Sequence, residues 1–226
     1  MKNLLWKDFR LNRALIILGA AVLVGVLIVG AAIEISNTWP AMPSAKVTAD
    51  ALTSYAHLAF SLTPFIAAVL GGNAICCERA ERSAHFLAYL PPTKFQILAS
   101  KLVVGACALA VYWSVTLLLM RVIAPWVDPA PFNFLYMATN PAASMAGCVM
   151  TFGVGWLGSA WLEKPTFPVL SGLASPFALG LGMTTAAFVA GVSRFDVLEW
   201  TSVTCCSLGA IAFVSGTAIY LRRVEP

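Results

Sequence analysis

The chain is 226 residues long, 60% hydrophobic and only 11% charged, with a mean hydropathy of +0.84. A soluble domain is nearer about one quarter charged, so too few charges remain to coat a water-facing surface, and lipid must be the solvent for most of the molecule. The net charge of +4 is spread over several short loops with no compact patch interleaved with aromatics, which excludes a nucleic-acid interface.

In lipid every backbone polar group needs an internal partner, which leaves helices or closed barrels. The apolar runs here are continuous rather than alternating, so the predicted fold class is all-α integral membrane. Met1–Arg13 places Leu5, Trp6 and Phe9 on one helical face, with Lys7 and Arg10 elsewhere. That pattern predicts an interfacial elbow helix lying flat before the chain turns into the membrane. A cleaved signal peptide is the competing reading of this segment, but the apolar run that follows is longer than a usual signal core.

Roughly 20 apolar residues at about 1.5 Å each cross a bilayer core of about 30 Å. Runs free of Asp, Glu, Lys and Arg lie at Ala14–Ile33, Ala51–Cys77, Leu102–Met120, Pro129–Leu162, Pro165–Ser193 and Thr201–Leu221. They predict six spans, at about 14–35, 51–77, 97–121, 140–162, 165–190 and 200–221, in a single transmembrane domain covering 1–226. The fourth run is too long for one span; Asn140-Pro141 resolves it as an N-cap followed by proline at the first helical position. Ser175-Pro176 is expected to kink the fifth span. His57, near the start of the second span, reads as a packed histidine at the outer interface rather than a functional one. Small residues recur every four positions at Gly147, Thr151, Gly155 and Ser159, and again at Gly172, Pro176, Gly180 and Thr184. Such rows let helix backbones approach closely in lipid; a helix that slides during transport is the sharper alternative.

Lys and Arg fix the orientation. With the N-terminus inside, the inner set is Lys2, Lys7, Arg10, Arg13, Arg79, Arg82, Lys94, Lys101, Lys164, Arg222 and Arg223, against an outer set of Lys46, Arg121 and Arg194. Both termini are therefore expected in the cytoplasm. Six cysteines sit in apolar runs without CxxC or Cys/His metal spacing, so they read as small buried residues. Acylation of Cys76 or Cys77 near a membrane face is the alternative.

The inner loop Glu78–Lys101 is the one of useful size. Glu78 with Arg82, and Glu81 with His85, are i,i+4 pairs; Phe86, Leu87 and Leu90 form an apolar edge, and Pro91-Pro92 ends the helix. Thr93-Lys94-Phe95-Gln96 is a capping box that opens the helix of the third span. A short amphipathic helix braced between two spans transmits a push on the loop into both. Arg79 and Glu81 stand as charged rim residues beside its apolar anchors. Enzyme signatures are missing: there is no GxxxxGK[ST], HExxH, GxSxG or paired-carboxylate cluster, so the chain is expected to have no catalytic site and to bind no metal or cofactor.

The stretch Glu78-Arg79-Ala80-Glu81-Arg82 through Phe86-Leu87-Ala88-Tyr89-Leu90-Pro91-Pro92 to Ile97-Leu98-Ala99-Ser100-Lys101-Leu102 resembles the permease subunits of type 2 ABC exporters. Leu4-Leu5-Trp6-Lys7-Asp8-Phe9-Arg10 looks like that family's elbow helix. Ala84-His85 departs from its frequent Gly-Thr, and the outer loop Gly191–Trp200 is shorter than in some members. The resemblance implies a permease in a bacterial cytoplasmic (inner) membrane that pairs with a second permease chain as a homo- or heterodimer. Two ATP-binding cassette subunits would carry ATP and Mg and dock on a coupling helix, here Glu78–Leu90. The runner-up is a non-transporting scaffold or sensor that binds a cytoplasmic partner through the 78–101 loop. An intramembrane enzyme is the third.

Overall fold

A computed structural model describes residues 2–38, 55–56, 58–80, 93–123, 141–191 and 194–222. They form six long helices: α1 (Lys2–Thr38), α2 (Thr63–Ala80), α3 (Lys94–Ile123), α4 (Pro141–Trp161), α5 (Thr166–Ala190) and α6 (Arg194–Arg222). A further helical segment over 58–61 precedes α2. Six stretches within these segments are long and apolar enough to cross a membrane. The predicted all-helical, multi-span class is what the backbone shows.

The separate elbow helix is not. α1 is one uninterrupted helix of 37 residues, about 55 Å at 1.5 Å per residue. The reason is visible in the sequence: Lys2–Leu18 holds no glycine or proline, so nothing in it breaks the i→i−4 ladder. The segment expected to turn away instead continues the first span and lies along α3.

Proline inside a span frees a carbonyl that lipid cannot satisfy. Two spans answer this in the same way. Pro64 cannot donate to the carbonyl of Phe60, and the buried Thr63 hydroxyl donates to it instead, at 2.7 Å. Pro176 cannot donate to Gly172, and Ser175 Oγ does so at 2.8 Å. In both cases the residue just before the proline supplies the missing donor, and α5 runs on through Pro176. It ends at Gly191, whose φ of 67° is the left-handed conformation that closes a helix without a Cβ clash.

α4 is the central element, packed against α2, α5 and α6. The row Gly147, Thr151, Gly155 and Ser159 is buried throughout. The Thr151 and Ser159 hydroxyls donate back to the carbonyls of Cys148 and Trp156, so they act as small, satisfied surfaces. A Cβ on Gly155 would stand 3.0 Å from the backbone nitrogen of Gly72; one on Gly209 of α6 would stand 2.6 Å from the carbonyl oxygen of Val149. Backbone meets backbone at both crossings, which is the close-packing reading of the small-residue row. The second row divides: Gly172 abuts Thr151, whereas Gly180 faces open space.

Candidate functional site

Six segments meet at the basic end of the bundle: the start of α1, the end of α2, the start of α3, the end of α4, the start of α5 and the end of α6. Local chemistry sets α3 there. Gln96 N–H donates to Thr93 Oγ at 3.3 Å, and Thr93 N–H donates to Gln96 Oε1 at 3.1 Å, the reciprocal capping box expected from the sequence. α3 therefore begins as a defined helix at Lys94, immediately after the segment that joins it to α2.

About two turns further along α3, two adjacent polar side chains, Ser100 and Lys101, meet α1. Asp8 is 2% exposed, Ser100 is fully buried and Lys101 is 8% exposed. Ser100 Oγ donates to one carboxylate oxygen of Asp8, and Lys101 Nζ donates to the other at 3.5 Å. Both oxygens of a buried carboxylate are thus engaged, which is the condition for keeping such a charge out of water. Further out, the Tyr112 hydroxyl donates to the carbonyl of Ile16. α1 and α3 are parallel neighbours pinned at two levels.

The same end is consolidated from the other side. The Cys76 thiol donates to the carbonyls of Leu162 at 3.0 Å and Ser159 at 3.5 Å, tying the end of α2 to the end of α4. That thiol is fully buried, so Cys76 is a packing residue and not an acylation site. Ile75, Leu98, Trp156 and Ala160 form a buried cluster against Phe213 and Tyr220 of α6, with Trp156 between Phe152 and Phe213 at ring-centroid distances of 5.7 and 5.4 Å.

The residues expected to carry function divide sharply. Leu5, Trp6 and Phe9 do share a face, with Trp6 and Phe9 ring centroids 6.0 Å apart. That face borders a cleft against α3, and Arg10 is exposed beside it. Glu78 and Arg79 lie in the last turn of α2. Glu81, Arg82, Phe86, Leu87 and Leu90 lie outside the described residues, as do His57 and Asn140.

Sequence reasoning missed Asp8 as a site residue, and its signal was present. It is the single acidic residue before Glu34, set among four basic ones, and Lys101 is the last charge before Arg121. Isolated opposite charges at the mouths of two spans are candidates for pairing in lipid.

A family model described as an ABC-2 family transporter protein matches residues 5–191. No curated protein and no solved structure matches the chain.

Proposed function

The chain belongs to the ABC-2 transporter family, as a multi-pass membrane component, and from that premise we propose that it is the permease subunit of a bacterial ATP-driven exporter, with a separate cassette subunit hydrolysing ATP. The family match over residues 5–191 carries this reading. The absence of a nucleotide loop from the sequence supports it, since the energy must then come from another chain.

The basic end supports a route for that energy. The segment joining α2 to α3 holds Phe86, Leu87 and Leu90, the anchors of the proposed coupling helix, with Glu78, Arg79, Glu81 and Arg82 at its rim. A cassette subunit closing on ATP and Mg pushes this segment towards the membrane. α3 receives the push directly, because its first turn is capped at Thr93–Gln96. α1 receives it through Asp8, which is bonded to the adjacent Ser100 and Lys101 about two turns later. α2 and α4 receive it through Cys76.

A second permease chain has a place to pack. In α5 the described buried residues are Pro168 and Gly172, both in its first two turns. Beyond them Gly180 and Gly182 meet open space, and the Thr184 and Thr185 hydroxyls bond their own helix at 2.7 and 2.8 Å. Of these, Gly180 and Thr184 lie one turn apart on one face, and a small, internally satisfied face suits helix pairing in lipid. The excess of Lys and Arg on the side of both termini supports a cytoplasmic location for them.

The test is co-expression with the cassette subunit. The purified chain is expected to hydrolyse no ATP, and the complex to show vanadate-sensitive hydrolysis coupled to substrate movement in inverted vesicles. Phe86→Ala, which truncates an anchor at a cost of about 2 kcal/mol or more, is expected to weaken assembly or to leave complexes that hydrolyse without transport. Robust hydrolysis by the isolated chain overturns the two-subunit reading. Wild-type assembly and coupling in Phe86→Ala overturn the role of the loop.

A further inference from the structure

Between α1 and α3 lies a cleft of about 700 Å³, lined by Leu5, Trp6, Phe9 and Ile16 on one side and by Val103, Cys107, Val111 and Tyr112 on the other. It is within the range of sites that hold a discrete small molecule, about 300–1,000 Å³. Its walls are hydrocarbon, aromatic rings and the Cys107 thiol. The polar group that reaches it, the Tyr112 hydroxyl, already donates to Ile16. Such a wall recognises hydrocarbon. Its two sides are held apart and in register by the Asp8 cluster at one level and the Tyr112 bond at another, so the cleft is preformed. Its rim is open, with Trp6 65% and Val111 59% exposed, and in a bilayer that opening faces acyl chains.

The charge around it is not neutral. Asp8 is taken up by Ser100 and Lys101. Arg13 is exposed and stands four residues after Phe9 and three before Ile16, on the stripe of α1 that lines the cleft. Arg10, also exposed, follows Trp6 by four. Two guanidinium groups therefore flank a hydrocarbon slot, at the end of α1 where basic residues collect. Guanidinium is the cation best matched to phosphate geometry.

We propose that the α1–α3 cleft is a binding site for an anionic phospholipid, with one acyl chain lying in the slot and the phosphate held by Arg10 and Arg13. The site goes beyond transport: its lipid adds to the Asp8 and Tyr112 contacts that already hold α1 against α3, whatever the protein carries.

The full-length chain is reconstituted in phosphatidylcholine vesicles containing a trace of phosphatidylglycerol, or of phosphatidylcholine, with a diazirine on the acyl chain. Adducts are then mapped after illumination. They are expected to concentrate on residues 5–16 and 103–112, on the order of ten-fold more from phosphatidylglycerol than from phosphatidylcholine. Arg10→Gln combined with Arg13→Gln is expected to bring the two lipids level, while chain contact persists. Cys107→Trp, or Val103→Phe where the first folds poorly, is expected to fill the slot and remove adducts there while leaving those on the exposed Val24, Ile28 and Val29 of α1 unchanged. Adducts on the cleft no denser than on the exposed Val24, Ile28 and Val29 of α1 mean a general lipid shell and overturn the proposal. Equal labelling of the wild-type cleft by both lipids overturns it too. So does a photoreactive residue at position 103 that captures a second copy of the chain instead of lipid.

Discussion

Asp8 is the residue on which the basic end turns. A carboxylate 2% exposed is tolerable only because Ser100 and Lys101 together engage both of its oxygens. Removing one partner of a buried pair leaves the other charge uncompensated, at a cost of about 3–5 kcal/mol. Asp8→Ala is therefore expected to lower the melting temperature of the detergent-solubilised chain sharply. Ser100→Ala removes one hydrogen bond to a charged group and is expected to cost less, about 1.5–3 kcal/mol. The combined change Asp8→Leu with Lys101→Met takes both charges away and is expected to recover most of the loss. An unchanged melt in Asp8→Ala would falsify the assignment of this pair as the clamp between α1 and α3. The clamp also separates two outcomes in the complex: if it transmits motion, the double variant regains stability without regaining the coupling of hydrolysis to transport.

Among the elements, α4 has the least freedom. Its neighbours approach through glycine on both sides, so the cost of adding one carbon depends on what that carbon meets. On Gly209 it meets Val149 oxygen at 2.6 Å and Met150 Cα at 2.7 Å. These are backbone atoms of α4, and they cannot rotate away. Gly209→Ala is thus expected to force α6 off α4 and to destabilise the bundle by about 1–3 kcal/mol, seen as a lower melting temperature or loss of the monodisperse species. Gly25 of α1 has nothing within 4 Å of the same added carbon; Gly25→Ala is expected to be neutral or slightly stabilising, because alanine is the better helix former. Equal behaviour of the two variants would show that the α4–α6 crossing is looser than described. The remaining contrast is α5, whose later turns touch the bundle through Phe177 and Leu179 but bury no residue beyond Gly172 among those described, which is why a second permease is placed there.

For the whole molecule the open quantity is orientation, and the basic residues set it. In a cysteine-free background, single cysteines at Asp128 and Asp196 are expected to react with a membrane-impermeant thiol reagent applied to intact cells, whereas one at Arg82 reacts only after the membrane is opened. Labelling of position 82 from outside inverts the topology, and with it the side on which a cassette subunit docks. The uneven placement of Lys and Arg carries this prediction, on six described helices of spanning length. The capping box at Thr93–Gln96 and the helix start at Pro141 were equally legible, because each depends on residues within one turn of one another.

The number of helices long enough to span a membrane among the described residues, and the absence of any catalytic signature, were determined by the sequence, since hydrophobic length and motifs are properties of contiguous residues. The persistence of α1 from Lys2 was legible in principle as well, in the lack of any breaker before Gly19, but amphipathic patterning suggested an elbow. Tertiary structure decided the rest. Asp8 meets Ser100 and Lys101 across more than ninety residues of chain, and Cys76 meets Leu162 across 86. Which small-residue row lies buried and which faces outward follows from α4 taking the centre of the bundle. In lipid the hydrophobic effect does not rank one helix partner above another. The ranking comes from backbone approach at glycine and from a few polar contacts between helices, and neither is visible until the helices are placed side by side.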